Sequence, residues 1–201
     1  MFNETPLPMD EASRLTRAID AGFNDQRYHG TDRDFQSFDP GQTGARTDSG
    51  WYGQGAYFGT PDQASIYASG GDPSKALGSV IPAYLRGNRM EWDNSVPPRT
   101  TPEGSAELTR DVSALGYDGM EVRYPDDPDI YGDVAGERRE TAVYNPQNIR
   151  SQFARFDPEF AHLSNLSAAN ADYLTGLVAS GASDDEVQAA YQMILDLEGP
   201  R

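Results

Sequence analysis

Glycine and proline interrupt this chain about once every six residues, with 20 Gly and 14 Pro in 201. That density limits the length of any regular element, because glycine weakens helix and strand interiors and proline ends or kinks them. Hydrophobic residues make up 37%, below the usual share, so the core is modest and the fold rich in loops. Aromatic residues at 10% still offer enough area to bury, which argues for a folded chain over wholesale disorder. The length suits one domain with a small appendage.

Between the interruptions, short periodic runs are legible. Residues 10–22 read as an amphipathic helix with Leu15, Ala18 and Ile19 at helical spacing and Gly22 at the C′ position. Residues 26–30 read as a strand, and 31–52 as a long polar stretch anchored only by Phe35, Phe38 and Trp51. A loop of that length in a compact domain is usually functional. A strand is expected at 56–58. A helix follows, started by Thr60 as N-cap and Pro61 at N1, with Ala64, Tyr67 and Ala68 on one face.

Residues 78–86 read as a strand whose Pro82 places it at an edge or bulge. A helix over 101–115 ends at Gly116, and strands are expected at 117–123 and 140–144. An acidic Pro/Gly-rich loop spans 124–139, and a further extended piece covers 149–156. Strands with helices interspersed irregularly indicate an α+β fold rather than strict βαβ alternation.

A boundary is expected near Asp157, giving a unit over 1–156 and an acidic helical appendage over 157–201. The appendage has eight acidic residues against Arg201 alone, about −7 of the chain's −16. It reads as a helical hairpin whose second helix opens at Ser183-Asp184-Asp185-Glu186, a capping box.

The net charge of −16, with a pI near 4.3, disfavours a surface that grips nucleic acid by its phosphates. With no cysteine, disulfide frameworks, zinc ribbons, iron–sulfur clusters and thiol nucleophiles are excluded. Two histidines make a His-rich metal site a poor reading. The N-terminus lacks a signal-peptide pattern and no apolar run approaches 18 residues, so a cytoplasmic protein without membrane association is expected.

Three separated pieces carry the chemistry. They are Tyr28-His29-Gly30-Thr31; then Gly53-Gln54-Gly55-Ala56-Tyr57-Phe58 with Ala64-Ser65-Ile66-Tyr67-Ala68; then Glu140-Thr141-Ala142-Val143-Tyr144-Asn145-Pro146 through Ser151. Singly, each has a structural reading: a histidine at a strand end, tyrosines at a core rim, a Gly-rich turn. Glu140 beside Arg138 and Arg139 also suits a solvated ion pair.

Together and in this order, the pieces resemble the ADP-ribosyltransferases of the His-Tyr-Glu class, the diphtheria-toxin and poly-ADP-ribose-polymerase type. They are most similar to the small domains of that class in polyvalent proteins of phages and mobile elements. The resemblance runs from about residue 11 to 158 and leaves the acidic tail outside. It implies a split β-sheet sandwich with peripheral helices, to which the C-terminal hairpin is added. It also implies NAD+ as co-substrate, with no metal.

The roles that the resemblance implies fall on His29 for a hydroxyl of the adenosine ribose and on Gly30, whose backbone would pair with the nicotinamide carboxamide. Thr31 would add a polar contact. Tyr57 and Tyr67 would pack around the nicotinamide, and Glu140 would hold the 2′-hydroxyl of its ribose and stabilise developing positive charge. Glu140, His29 and Tyr57 form the implied catalytic set. Arg33, Arg46 and Arg139 are pyrophosphate candidates by sequence proximity. Arginine-specific transferases carry a glutamate two residues before the catalytic one; Arg138 stands there, which argues against arginine as acceptor.

The implied activity is mono-ADP-ribosyl transfer, as of a toxin or effector, to a host macromolecule. The acidic balance favours a protein acceptor over nucleic acid. An NAD glycohydrolase would use the same residues with water as acceptor. The charge also motivates a non-catalytic reading, an acidic module that binds NAD or a partner. The loops at 31–52 and 124–139 are the expected acceptor-reading elements.

Overall fold

The computed structural model describes residues 7–32, 38, 49–70, 78–92, 97–124 and 138–158, with 183, 185, 186 and 188 in the tail. Helix α1 (Glu11–Asp20) starts where the Asp10 carboxylate accepts the Ser13 N–H. It ends where Gly22, at a φ of 84°, returns its N–H to the Ile19 carbonyl while Phe23 bonds Ala18. Of the expected apolar stripe only Ala18 is buried; Leu15 and Ile19 stay exposed. Strand β1 (Asp25–Thr31) follows, then β2 (Ala56–Phe58).

Thr60 opens α2 (Pro61–Ala68) with Pro61 at its start. A reciprocal bond from the Thr60 N–H to the Gln63 side chain completes a capping box. Next come β3 (Ser79–Leu85), β4 (Arg89–Trp92) and α3 (Pro102–Ala114). Thr101 caps α3, and Gly116 at a φ of 87° turns the chain after it. β5 (Gly119–Tyr124), β6 (Arg138–Val143), a 3-10 turn (Pro146–Asn148) and β7 (Ile149–Ser151) complete the order.

The described chain is thus a mixed α+β fold with two sheets and three α-helices. One sheet runs β1-β3-β7, all antiparallel; the other runs β2-β6-β5-β4. In the second sheet, β4 and β5 are parallel and joined through α3. Strand β4 went unread in the sequence because Arg89-Met90-Glu91-Trp92 is four residues long and half charged.

Two apolar layers hold these parts. Phe58 and Val143 of one sheet meet Ala83, Leu85 and Ile149 of the other. On the opposite face of the four-stranded sheet, Met120, Val122 and Ala142 pack with Leu108 and Val112 of α3, and with Tyr52 and Tyr144. A third cluster joins α1 to the stretch after β7 through Ala18, Phe23, Ala154 and Phe156. The core therefore reaches Phe156, next to the boundary expected from composition.

Most of the appendage lies outside the described residues, its hairpin with it. Ser183 and Glu186 do form the expected capping box: Glu186 accepts from the Ser183 N–H at 2.8 Å, and its own N–H bonds the Ser183 hydroxyl. Among the described residues, no helix is long and apolar enough to cross a membrane.

One expectation is corrected. Pro82 sits in β3, the central strand of its sheet, and not at an edge or bulge. It is tolerated because it faces Tyr28 in a pair whose backbone groups point away from each other; Tyr28 bonds Gly59 instead. On its other side, Pro82 accepts from the Gln152 N–H at 3.1 Å. The Gln152 carbonyl that a residue 82 N–H would have served accepts the Arg14 guanidinium at 2.8 Å. Helix α1 thus supplies the donor that proline lacks.

Arg14→Met is expected to lower stability by about 1–2 kcal/mol, the cost of an orphaned carbonyl. For a chain of this size that is roughly 2–8 °C in Tm. A thermal melt that matches the wild type would contradict the substitution of donors.

Candidate active site

Among the described residues, the two sheets meet edge to edge at one isolated bridge, Tyr28 with Gly59. Tyr28 donates to the Gly59 carbonyl at 3.1 Å, and Gly59 donates back at 2.9 Å. A continuing antiparallel ladder would next pair Gly30 with Tyr57. Instead, the Tyr57 carbonyl bonds His29 Nδ1 at 2.7 Å. A side chain takes the place of a backbone rung, and the strands part there.

Alternation along β1 turns the Gly30 N–H and C=O to the same side as those of Tyr28, toward the parting. No described hydrogen bond takes them. Gly30 has no room for a side chain. A Cβ there would collide with the Ala64 carbonyl and stand 2.8 Å from the Ala68 nitrogen, so β1 lies directly on α2. The glycine requirement is thus a packing requirement, whatever else the backbone does.

A carbonyl can only accept, so His29 Nδ1 carries the proton and Nε2 is the acceptor nitrogen of the ring. Burial pushes its pKa below the usual imidazole value, and the bond to Tyr57 only partly offsets this. The ring packs edge-on against Phe38 and tilted against Phe58.

Glu140 lies on β6 opposite Val122, on the face that carries Ala142 and Met120. The carboxylate is buried, with 9% of the residue exposed. Its Oε1 accepts the Tyr67 hydroxyl at 3.0 Å and its Oε2 the Tyr124 hydroxyl at 2.8 Å. Tyr67 comes from the exposed side of α2; Tyr57, whose backbone pairs with Ala142, packs its ring on the same layer. The Tyr57 hydroxyl donates to the Gly53 carbonyl at 2.8 Å and accepts the Tyr52 N–H at 2.9 Å.

The Gly-rich turn therefore orients Tyr57. Gly53 has a φ of 102° and leaves no space for a Cβ beside Tyr144, and a Cβ on Gly55 would meet the Val143 carbonyl at 2.6 Å. Tyr144 locks the same turn by donating to the Tyr52 carbonyl at 2.6 Å. Burial raises the Tyr144 pKa well above the ordinary phenol value, so it remains a donor.

The three sequence pieces thus converge on β2. His29 reaches its Tyr57 carbonyl, Tyr67 follows it on α2, and Glu140 lies on the neighbouring strand. The Phe58 ring faces the inter-sheet layer and the Tyr57 ring the α3 layer, so His29 and Glu140 flank β2 from different sides. Thr31 closes β1 opposite Ser79. Arg139 is not brought to the site: alternation turns it to the other face of β6, where it pairs with Glu121 at 3.3 Å. Arg33 and Arg46, and nearly all of the two long loops, lie outside the described residues.

Sequence reasoning missed Tyr124 and Tyr52. The signal was present for Tyr124, two residues after Val122 on the strand that pairs with β6. Reading it required the register of β5 on β6, which no local pattern contains.

Among the described residues, no group of three or more His, Asp or Glu could hold a metal ion. No family model, curated protein or solved structure matches this chain.

The lowered His29 pKa sets a pH dependence. The folded protein binds this proton less readily than the unfolded chain, so the His29 contribution to stability is present above the ordinary imidazole value. It is lost as pH falls from about 6.5 toward the folded-state value. Melts of wild type and His29→Gln at pH 7.5 and 5.0 are expected to show a smaller acid-side loss in the variant. Equal losses would place the ring outside the linkage.

Proposed function

We propose that this chain is an NAD+-dependent mono-ADP-ribosyltransferase, built as a split β-sheet sandwich of the His-Tyr-Glu class. The observation that carries the reading is the convergence of His29, Gly30, Tyr57, Tyr67 and Glu140 on β2. They come from three pieces of sequence separated by up to 111 positions. A structural role for each piece separately does not require all three to border the same short strand.

The residues suit the co-substrate. The Gly30 N–H and C=O form one donor and one acceptor on a single strand edge, complementary to the carbonyl and one of the two N–H groups of a carboxamide. The Tyr57 and Tyr67 rings flank the turn from β2 into α2 and suit a flat heteroaromatic ring. His29 Nε2, an acceptor at neutral pH, suits a ribose hydroxyl. Glu140 presents a carboxylate oxygen through Tyr67, at a half-exposed position, and suits a ribose 2′-hydroxyl.

Breaking the bond from ribose to nicotinamide leaves the electron pair on nicotinamide and positive charge on the sugar. A buried carboxylate held in place stabilises that charge without reorganising. Nicotinamide leaves as the neutral base, the acceptor nucleophile bonds the same sugar carbon and gives up its proton, and the acidic balance favours a protein acceptor supplied by a host cell.

Glu140→Gln is expected to keep the fold and lower nicotinamide release from NAD+ by ~10²–10³-fold. Labelled NAD+ with protein alone, and then with host lysate, separates the outcomes. Label on a lysate protein that disappears in Glu140→Gln supports transfer. Free ADP-ribose alone in both reactions makes the chain a glycohydrolase. No nicotinamide release from wild type in either reaction overturns the catalytic reading.

A further inference from the structure

Glu140 has two oxygens, and the fold treats them differently. Oε1 meets Tyr67, which is 49% exposed on a helix of eight residues. Oε2 meets Tyr124, packed against the α3-side core on the strand adjacent to Glu140's own. Behind Tyr124 stands Tyr52, only 5% exposed, with its hydroxyl 2.9 Å from that of Tyr124.

The proton arrangement follows from chemistry. An ionised carboxylate only accepts, so the single Tyr124 hydroxyl proton goes to Oε2, and the Tyr52 hydroxyl proton goes to Tyr124 oxygen. Such a chain is polarised in one direction, each donor strengthened by the one behind it. Tyr52 is itself fixed, since its carbonyl accepts from Tyr144 and its N–H donates to the Tyr57 hydroxyl.

We propose that Tyr124, backed by Tyr52, is a positioning residue that holds Glu140 ionised and in one rotamer through Oε2, leaving Oε1 as the oxygen exchanged from Tyr67 to substrate. The use of that oxygen on a ribose hydroxyl rests on the transferase reading above; the hold on Oε2 does not. Burial of a carboxylate favours its neutral form, and a hydrogen bond donated to the charged form opposes this. Removing the Tyr124 hydroxyl while keeping its ring therefore leaves packing intact and makes Glu140 easier to protonate. Tyr124 keeps its proton throughout, because burial, followed by the Glu140 charge, drives its pKa far above the ordinary phenol value.

The test compares wild type, Tyr124→Phe and Tyr52→Phe in the full chain by two readouts. The first is a carbon-13 NMR titration of the Glu140 side-chain carboxyl, assigned with Glu140→Gln. Its midpoint is expected to rise in Tyr124→Phe, and by less in Tyr52→Phe. The second is nicotinamide release against pH. Here kcat is expected to fall roughly 10–100-fold in Tyr124→Phe, the scale of one hydrogen bond to a charged group. KM for NAD+ is expected to change by less than about twofold, and the acid limb to move to higher pH. A simple loss of packing would lower Tm without moving the limb or the midpoint.

An unmoved Glu140 midpoint in a folded Tyr124→Phe overturns the proposal. So does a wild-type pH profile in an active Tyr124→Phe. If wild type releases no nicotinamide but the midpoint rises, the hold on Glu140 stands and the transferase reading is what fails.

Discussion

The parting of the two sheets at Tyr28 and Gly59 governs the rest of the molecule. Among the described residues one backbone bridge joins them, and the next rung is taken by the His29 ring on the Tyr57 carbonyl. An imidazole is deeper than a backbone amide, so the strand edges are held apart beyond the bridge. That leaves the Gly30 amide facing the parting and lets α2 settle against β1, where any side chain at position 30 would collide with Ala64. The Phe58, Ala83, Leu85 and Ile149 layer then closes the sheets on each other elsewhere. A continuous ladder between β1 and β2 would satisfy more backbone groups. The fold instead exchanges those rungs for a polar edge.

Glu140 shows the complementary constraint. A carboxylate in an apolar layer is costly unless donors meet its lone pairs. The fold meets it with phenols, Tyr67 on one oxygen and Tyr124 on the other. Arg139, adjacent in sequence, is turned to the opposite face and held by Glu121, within a ladder that also includes Arg27, Asp25 and Arg89. A phenol donor meets a carboxylate lone pair without itself carrying a charge. Under the proposed function, the Glu140 carboxylate is what faces the sugar as it becomes cationic.

Local signals in the sequence were faithful where the physics is local. Thr60 with Pro61, and Gly22 and Gly116 after their helices, all mark ends by chemistry that acts within four residues. The strand centres at 26–30, 56–58 and 140–144 were legible for the same reason. What stayed hidden depends on register and partner. Pro82 reads as an edge residue until Arg14, 138 positions from Gln152, is seen to supply the missing donor. Tyr124 reads as the start of a loop until β5 is aligned on β6. Of the candidate site, residue types and order were legible in His29, Tyr57, Tyr67 and Glu140; that Glu140 needs Tyr124 and Tyr52 was not.

Under the proposed function, the parting beside His29 accepts the nicotinamide end of NAD+ through the Gly30 backbone. The most direct measurement is a proton–nitrogen NMR titration of the full chain with NAD+ and, separately, with nicotinamide. Saturable shifts at the Gly30 amide with both ligands, accompanied by shifts at Tyr57 and Tyr67, are the expected result. A spectrum unchanged at Gly30 while either ligand is in excess would contradict the account, as would shifts confined to the Arg27–Glu121 face of the sheet.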